Sequence, residues 1–250
     1  MGALFDYDEL AMSAVKAVCN ADQWHRAVSI DLETKIMDKG DFLTGERLLG
    51  IGFARRISDD RVETRALRLK DDTDEAEVEL LNEAARWLSS VRPLVLLGFN
   101  IAGYDYPLLS LKIKWYDDRA RKSRHEGEKP FFPKEYWALK DAMTRAFVLD
   151  MMHPLRYEIA RHDFCTPKYR SLAYVVSHKR FENLPLMRRK GLADADVHSN
   201  KDKQMGKGQK IFEMWKNHDP SFENYLEGDV HDVLLLAEEI YCKDNGGRKT

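Results

Sequence analysis

Four acidic residues in three short segments have the types and spacing needed for metal-dependent chemistry. Asp31 and Glu33 follow a short apolar run at 27–30, and alternate residues of an extended chain point the same way, so these two carboxylates can share a face. Adjacent carboxylates repel each other, and burial raises the pKa of such a group. A divalent cation removes the repulsion, and hard oxygen ligands suit Mg²⁺ or Mn²⁺. The segment therefore predicts a metal site, although two solvated acids at a strand end fit the same pattern.

The second segment places another acid directly after a buried strand. Asp105 ends the sequence NIAGYD at 100–105, which follows the continuous apolar run 94–99. Ligand sites in α/β sheets lie beyond the carboxyl ends of strands, so Asp105 is expected at the same edge as Asp31. The alternative is that Asn100 or Asp105 caps the following helix.

The third segment combines an acid with a tyrosine near the start of the last predicted helix. Tyr225 and Asp229 are four positions apart and therefore share a helical face. The alternative is a buried tyrosine beside a surface acid. Asp232 is a second candidate acid in this helix, but the tyrosine spacing favours Asp229.

These acids need a sheet whose strand ends bring them together, and the apolar pattern predicts one. Strands are expected at 27–31, 48–54, 62–69, 94–99 and 146–150. Helices are expected at 7–18, after a cap at Asp72 with Glu75 three residues on, from near Tyr104, from Ser171 onward, and at 222–241. The order β-β-β-α-β-α-β-α predicts an α/β fold with a mixed sheet, helices on both faces and an extra N-terminal helix. We expect one domain over 1–250, with an extension at 1–26, the core at 27–241 and a tail at 242–250.

Composition excludes several classes of protein. Hydrophobic residues make up 44% of the chain and charged residues 33%, the balance of a soluble globular protein. No apolar run approaches the ~20 residues that cross a bilayer, and early acids at Asp6 and Asp8 do not fit a secretory signal. A cytoplasmic protein without a membrane partner is expected. The three cysteines, Cys19, Cys165 and Cys242, are far apart in the sequence and predict free thiols.

Two charged stretches, 115–134 and 188–210, interrupt the pattern and are predicted to be insertions or mobile loops. The net charge of −2 does not favour a protein that coats nucleic acid, but a local basic patch can hold one strand end. Basic residues mixed with aromatic ones suit phosphate contacts and base stacking, and a solvated helix face is the alternative. The first set is Lys112, Lys114, Arg119, Arg121, Lys122 and Arg124 with Trp115 and Tyr116, and the second is Lys179, Arg180, Arg188, Arg189, Lys190, Lys207 and Lys210.

The three acidic segments, in this order, resemble the motifs of the DEDD exonuclease superfamily, which has a ribonuclease-H-like fold. Tyr225, four residues before Asp229, is typical of its DEDDy subgroup. Within it the chain is most similar to the proofreading 3′–5′ exonuclease domain of family B DNA polymerases, whose second motif is matched by Asn100, Tyr104 and Asp105. The segment 169–175 (YRSLAYV) resembles the sequence before the third motif. The likeness spans about 27–241, and no polymerase region follows, so a stand-alone nuclease is expected.

The resemblance implies a role for each residue of the site. Asp31, Glu33 and Asp229 would hold one of two divalent cations, Mg²⁺ or Mn²⁺, with Asp31 bridging to the second and Asp105 holding that second ion. Tyr225 would orient the attacking water or help to deprotonate it. The expected reaction removes nucleoside 5′-monophosphates from the 3′ end of a single strand, with DNA favoured over RNA. The expected substrate-binding residues are Leu32, Asn100, Tyr104 and Lys207.

Three other functions fit part of the sequence. The pairs His162-Asp163 and His231-Asp232 suggest an HD-type phosphohydrolase, but that family is all-helical and the predicted strands argue against it. A ribonuclease D-type exoribonuclease shares the same acids. An inactive nucleic-acid-binding exonuclease fold would normally lack a metal ligand, whereas all four acids are present here.

Overall fold

The structure is a computed structural model that describes residues 13–36, 45–125, 136–187 and 207–242. Several predictions fall outside these ranges, namely the first half of the helix at 7–18, most of the charged stretch at 188–210, and the end of the tail. The side chain of Lys207 also lies outside the described residues.

A five-stranded mixed sheet forms the centre of the described fold. Its strands are β1 (Ala27–Ile36), β2 (Glu46–Ser58), β3 (Arg61–Arg68), β4 (Val95–Gly98) and β5 (Phe147–Asp150). The spatial order is β3-β2-β1-β4-β5, with the first three strands antiparallel and β4 and β5 both parallel to β1. The parallel strands direct their carboxyl ends to one edge, as the sequence predicts.

Helices cover both faces of this sheet. They are α1 (13–20), α2 (Asp74–Val91), α3 (Asp105–His125), α4 (Tyr136–Arg145), α5 (Met152–Asp163), α6 (Leu172–Ser177), α7 (Lys207–Lys216) and α8 (Ser221–Tyr241). The predicted mixed sheet with helices on both faces is confirmed, and the arrangement is consistent with a ribonuclease-H-like fold. The helix at 13–20 agrees with the predicted N-terminal helix.

The alternation of side chains along the strands divides the core into two layers. On one face Val28, Ile30 and Leu32 of β1 join the cluster that includes α2, where Phe53 stacks on Trp87 with ring centroids 4.6 Å apart. On the opposite face small residues of β2 lie against α8. Asp31 and Glu33 alternate with the first set, so the strand directs them to the α8 face.

Several predicted element boundaries are wrong. Helix α3 continues through 115–125, where a charged loop was expected, and α7 begins at Lys207 within the second charged stretch. Thr73 caps α2 through its side chain, instead of Asp72. Asp72 forms ion pairs with Lys35 and Arg47. Helix α5 was not predicted as a separate element.

The cysteine prediction is also wrong for two of the three residues. Cys19 of α1 and Cys242 after α8 form a disulfide, with Cα atoms 5.4 Å apart. Cys165 is a free, exposed thiol. Within the described ranges, none of the helices is long and apolar enough to cross a membrane.

Candidate metal centre

Two of the predicted acids are brought together by the pleat of β1. Asp31 and Glu33 are separated by Leu32, whose side chain points into the opposite core layer and is 5% exposed. The register places Asp31 opposite Gly52 of β2, and an irregularity follows Glu33. Both carboxylates are half-buried, so their mutual repulsion is not fully screened by water.

The third acid approaches from α8 because β2 has glycines beneath the helix. A Cβ at position 52 would lie 3.0 Å from the backbone oxygen of Leu226 and 3.1 Å from Val230 Cγ1. At Gly50 the nearest atom, Leu226 Cδ1, would be only 2.7 Å away. The absence of side chains at these positions lets α8 pack directly over the strand that is paired with Asp31.

This packing assembles three carboxylates. One oxygen each from Asp31, Glu33 and Asp229 lies within 4.8 Å of the others, and Asp229 is 3% exposed. The donors are all hard carboxylate oxygens, so the residues fit a Mg²⁺ or Mn²⁺ ion. The strand pattern predicts that Asp31 and Glu33 share a face, and Asp229 of α8 joins them as the resemblance implies.

The fourth acid lies beside this cluster, at the first residue of α3. Asp105 is 4% exposed and its Oδ1 accepts a hydrogen bond of 3.0 Å from the backbone N–H of Leu32. Burial, and then the negative charge of Asp31, raise the pKa of Asp105 well above its usual range. A cation nearby would favour the ionised carboxylate, as expected for a residue that holds a second metal ion.

The loop before Asp105 is fixed by an acid whose role the sequence analysis missed. Asp150, at the end of β5, accepts hydrogen bonds from the backbone N–H groups of Asn100 (2.9 Å), Ala102 (3.2 Å) and Met152 (3.0 Å). Asn100 adopts the left-handed region at φ 68°, and its exposed side chain lies in the tight turn that leads into α3. The sequence signal that could have indicated this role is the position of Asp150 at the carboxyl end of a predicted strand, beside the predicted site.

A second missed acid interacts with a predicted substrate-binding residue. Glu46 of β2 is 4% exposed and accepts hydrogen bonds from the hydroxyls of Tyr104 and Thr34, which are themselves 2.7 Å apart. Burial, followed by this bond to Glu46, raises the pKa of Tyr104. Tyr104 therefore remains a hydroxyl donor at neutral pH.

An open cavity of about 770 Å³ adjoins the acids on this side. Its walls include Glu33 of the acidic cluster, Tyr104, and Gln209 and Phe212 of α7. Lys35 also lines the cavity, with its ammonium 5.4 Å from the ring centre of Phe212. The cavity combines a carboxylate edge, an aromatic ring and a cation, a chemistry that suits a nucleotide.

The structure also shows the surroundings of Tyr225 and Asp232, the other two residues considered in the last helix. Tyr225 is 3% exposed and belongs to the core cluster, one helical turn before Asp229. Asp232 accepts a hydrogen bond of 2.6 Å from the backbone N–H of Met187 and contacts His231. Asp232 thus holds a neighbouring segment, and Asp229 is the acid that joins the cluster.

Three cations of the first predicted basic set already pair with acids of their own fold. Lys112 is 4% exposed and forms an ion pair of 3.1 Å with buried Glu77. Arg119 pairs with Asp74, and Arg121 pairs with Asp117 at 2.8 Å. The predicted contact with a nucleic-acid strand is therefore wrong for Lys112, which is buried. It is less favoured for the two arginines, whose charges are already compensated by acids.

Comparisons with known proteins give distant structural similarity and no matching family. No protein-family model matches the chain, and no curated protein matches it in sequence. The family B DNA polymerase from the hyperthermophilic archaeon Pyrobaculum calidifontis is similar over 86% of this chain, with a TM-score of 0.43 and 17% sequence identity. The chain spans 24% of the length of that polymerase. A function must therefore be inferred from the geometry of the site.

Proposed function

We propose that the chain is a metal-dependent 3′–5′ exonuclease with a ribonuclease-H-like fold. The observation that carries this proposal is the cluster of Asp31, Glu33 and Asp229, whose oxygens lie within 4.8 Å of one another. Buried Asp105 adjoins the cluster through its hydrogen bond to Leu32. The same four acids are the ones on which the resemblance to DEDDy exonucleases depends.

Each acid has a distinct task in this proposal. Asp31, Glu33 and Asp229 would hold one divalent cation, and Asp31 and Asp105 would hold a second. When bound, such a pair of ions stabilises the attacking and leaving oxygens of the phosphodiester. Tyr225 orients the attacking water from the face of α8 that also carries Asp229. The cleaved bond releases a nucleoside 5′-monophosphate.

The proposed substrate is a single strand with a free 3′ end, DNA in preference to RNA. The cavity between Glu33, Tyr104 and Phe212 supports a nucleotide at this position because it adjoins the carboxylates and offers both polar and aromatic contacts. The preference for DNA depends on the likeness of the second motif to that of family B DNA polymerases. A ribonuclease D-type activity would show itself as faster hydrolysis of RNA.

Digestion of end-labelled strands tests this function. Single-stranded DNA, duplex DNA and RNA, labelled at the 3′ or the 5′ end, are incubated with Mg²⁺ or Mn²⁺. We expect immediate release of the 3′ label as mononucleotide and stepwise shortening of the 5′-labelled strand. Internal cleavage, or hydrolysis undiminished by EDTA, would contradict the proposal.

Substitutions connect the activity to the cluster. Asp31→Ala and Asp229→Ala should each reduce hydrolysis by at least about 10²–10³-fold, the usual loss for a preorganised electrostatic group. Asp118→Ala is the matched control, since Asp118 is an exposed acid on α3 outside the site. Near-wild-type activity of either cluster variant would refute the assignment.

A further inference from the structure

We propose that α5 and the segment that follows it form a stacking platform for a single nucleic-acid strand. The platform consists of Arg156, Tyr157 and Tyr169, with Arg170 and Tyr174 beside them. Its substrate class rests on the proposed exonuclease function, but its ability to bind a strand can be measured without hydrolysis.

The centre of the platform is an arginine between two exposed rings. The guanidinium carbon of Arg156 lies 4.3 Å from the ring centre of Tyr169 and 4.8 Å from that of Tyr157. Tyr169 is 58% exposed and Tyr157 is 53% exposed, although tyrosine is an amphipathic residue that usually covers apolar surface. A second pair repeats the pattern, with Arg170 4.7 Å from the ring of Tyr174. Exposed aromatic faces next to cations are the surfaces on which unpaired bases stack.

The platform cations differ from Lys112, Arg119 and Arg121 of the first predicted basic set, each of which is paired with an acid. Arg156, Lys168 and Arg170 make no ion pair within the described parts of the chain. The Nε of Arg156 is buried and has no hydrogen-bond partner among the described residues. These cations are therefore available for phosphates, whereas Lys112 and Arg119 already compensate protein carboxylates.

The acids of α5 do not cancel this charge. Glu158 is engaged by Arg161 and by Arg180 at 3.6 Å. Asp163 is held between His162 at 2.9 Å and His178 at 3.1 Å. The side of α5 that carries Arg156 thus keeps a local positive charge in a chain whose net charge is −2.

The platform lies at the edge of the sheet that gathers the acids. Helix α5 begins next to Asp150, which anchors the loop that leads to Asp105. The ring of His153, in the first turn of α5, is 5.8 Å from the ring of Tyr169. A strand whose 3′ end occupies the acidic cluster can therefore continue over Tyr169 and Arg156.

Phe164, the residue that follows α5, is another exposed ring near the platform in the sequence. It is 97% exposed and adopts the left-handed region at φ 52°, a conformation that disfavours a bulky residue. Its ring can contact a base without displacing any packed side chain. The single-strand platform thus runs from the start of α5 to the segment after its end.

Fluorescence anisotropy with labelled dT12 and rU12 in EDTA tests binding without catalysis. Tyr169→Ala and Arg156→Ala should each weaken binding by about tenfold, the loss expected for one base stack or one arginine contact. Tyr169→Phe should retain most of the affinity because it keeps the ring. The Arg156→Ala variant should also reduce the salt dependence by about one phosphate contact.

The matched controls are Trp115→Ala and Arg119→Ala. Arg119 lies 4.7 Å from the ring of Trp115, which is 38% exposed, but it is paired with Asp74. Both control proteins should bind like wild type. Preference for dT12 or rU12 distinguishes DNA from RNA on the same platform.

Two results would overturn the platform. One is affinity of Tyr169→Ala and Arg156→Ala within about twofold of wild type, and the other is equal wild-type affinity for duplex, whose paired bases cannot stack on the rings. Failure of the proposed exonuclease function can be distinguished from failure of the platform. In that case the wild-type protein would bind dT12 but would not hydrolyse it. In an active enzyme, Tyr169→Ala should raise the KM for dT12 by a larger factor than it lowers kcat.

Discussion

At the scale of single residues, the site is a cluster of carboxylates that raise one another's pKa. Asp105 shows this most clearly, since burial and the charge of Asp31 raise its pKa. The metal-free folded protein therefore holds this proton more tightly than the unfolded chain, in which an aspartate has a pKa of about 3.9. The contribution of protonated Asp105 to the free energy of unfolding is fully present below that value. It is lost as the pH rises through the raised pKa of the folded state.

Asp105→Asn should remove this loss of stability with rising pH. The amide oxygen can still accept the hydrogen bond from Leu32, and no charge has to be buried. In EDTA, the Tm of the variant relative to wild type should increase from about pH 4 toward neutral pH, while hydrolysis is lost. Added Mn²⁺ should stabilise wild type more than the variant.

Thermal unfolding across the pH range, with Asp118→Asn as control, checks this expectation. Asp118 is exposed, so its substitution should leave the pH profile parallel to that of wild type. Parallel profiles for Asp105→Asn and wild type would show that folding does not raise the pKa of Asp105.

Residue types and spacing predict that Asp31 and Glu33 share one face of β1, because side chains alternate along a strand. The approach of Asp229 from the last helix was expected only from the resemblance to DEDD exonucleases. Their catalytic roles stay predictions. Asp150 and Glu46 were not predicted, since their importance arises from contacts with Asn100 and Tyr104 that lie far away in the sequence. Long-range hydrogen bonds leave no local pattern.

At the scale of elements, continuous apolar runs predict the strands well, whereas charged helices are misinterpreted. The stretch 115–125 is polar enough to suggest a loop, yet it continues α3. Two of its cations are paired, Arg119 with Asp74 and Arg121 with Asp117 one helical turn earlier. A polar helix held by ion pairs carries a weak apolar stripe, so periodicity could not identify it.

The approach of α8 to β2 leads to a prediction at this scale. Gly52→Ala places a methyl group 3.0 Å from the backbone oxygen of Leu226, so the helix must shift by a few tenths of an ångström or more. Overpacking should cost about 1–3 kcal/mol of the free energy of unfolding. Hydrolysis should fall by about tenfold or more, because a displacement of about 1 Å can cost ~10²-fold.

Gly208→Ala is the matched control for Gly52→Ala. No atom lies within 4 Å of a Cβ built at Gly208, near the start of α7. That variant should be as stable as wild type or slightly more so. Parallel kinetics and thermal unfolding measure both effects, and an unimpaired Gly52→Ala enzyme would show that close packing does not position Asp229.

At the scale of the whole molecule, the two ends of the described chain are joined. The disulfide between Cys19 and Cys242 connects residues 223 positions apart and ties α1 to the end of α8. The sequence could not predict it, because three cysteines that are odd in number and far apart form no recognisable disulfide framework. Their proximity is a consequence of the fold, since α1 and α8 share one core cluster through Val15 and Tyr241.

Breaking the Cys19–Cys242 disulfide should destabilise the protein without altering the chemistry at Asp31. A cross-link over so long a loop restricts the unfolded chain strongly, and its removal typically costs about 2–4 kcal/mol of the free energy of unfolding. Cys19→Ser, or treatment with dithiothreitol, should therefore lower the midpoint of urea unfolding, whereas Cys165→Ser should not. Since the bond lies at the far end of α8 from Tyr225, kcat below the unfolding transition should change little. An unchanged midpoint in Cys19→Ser would mean that packing of α1 against α8 already supplies the restraint.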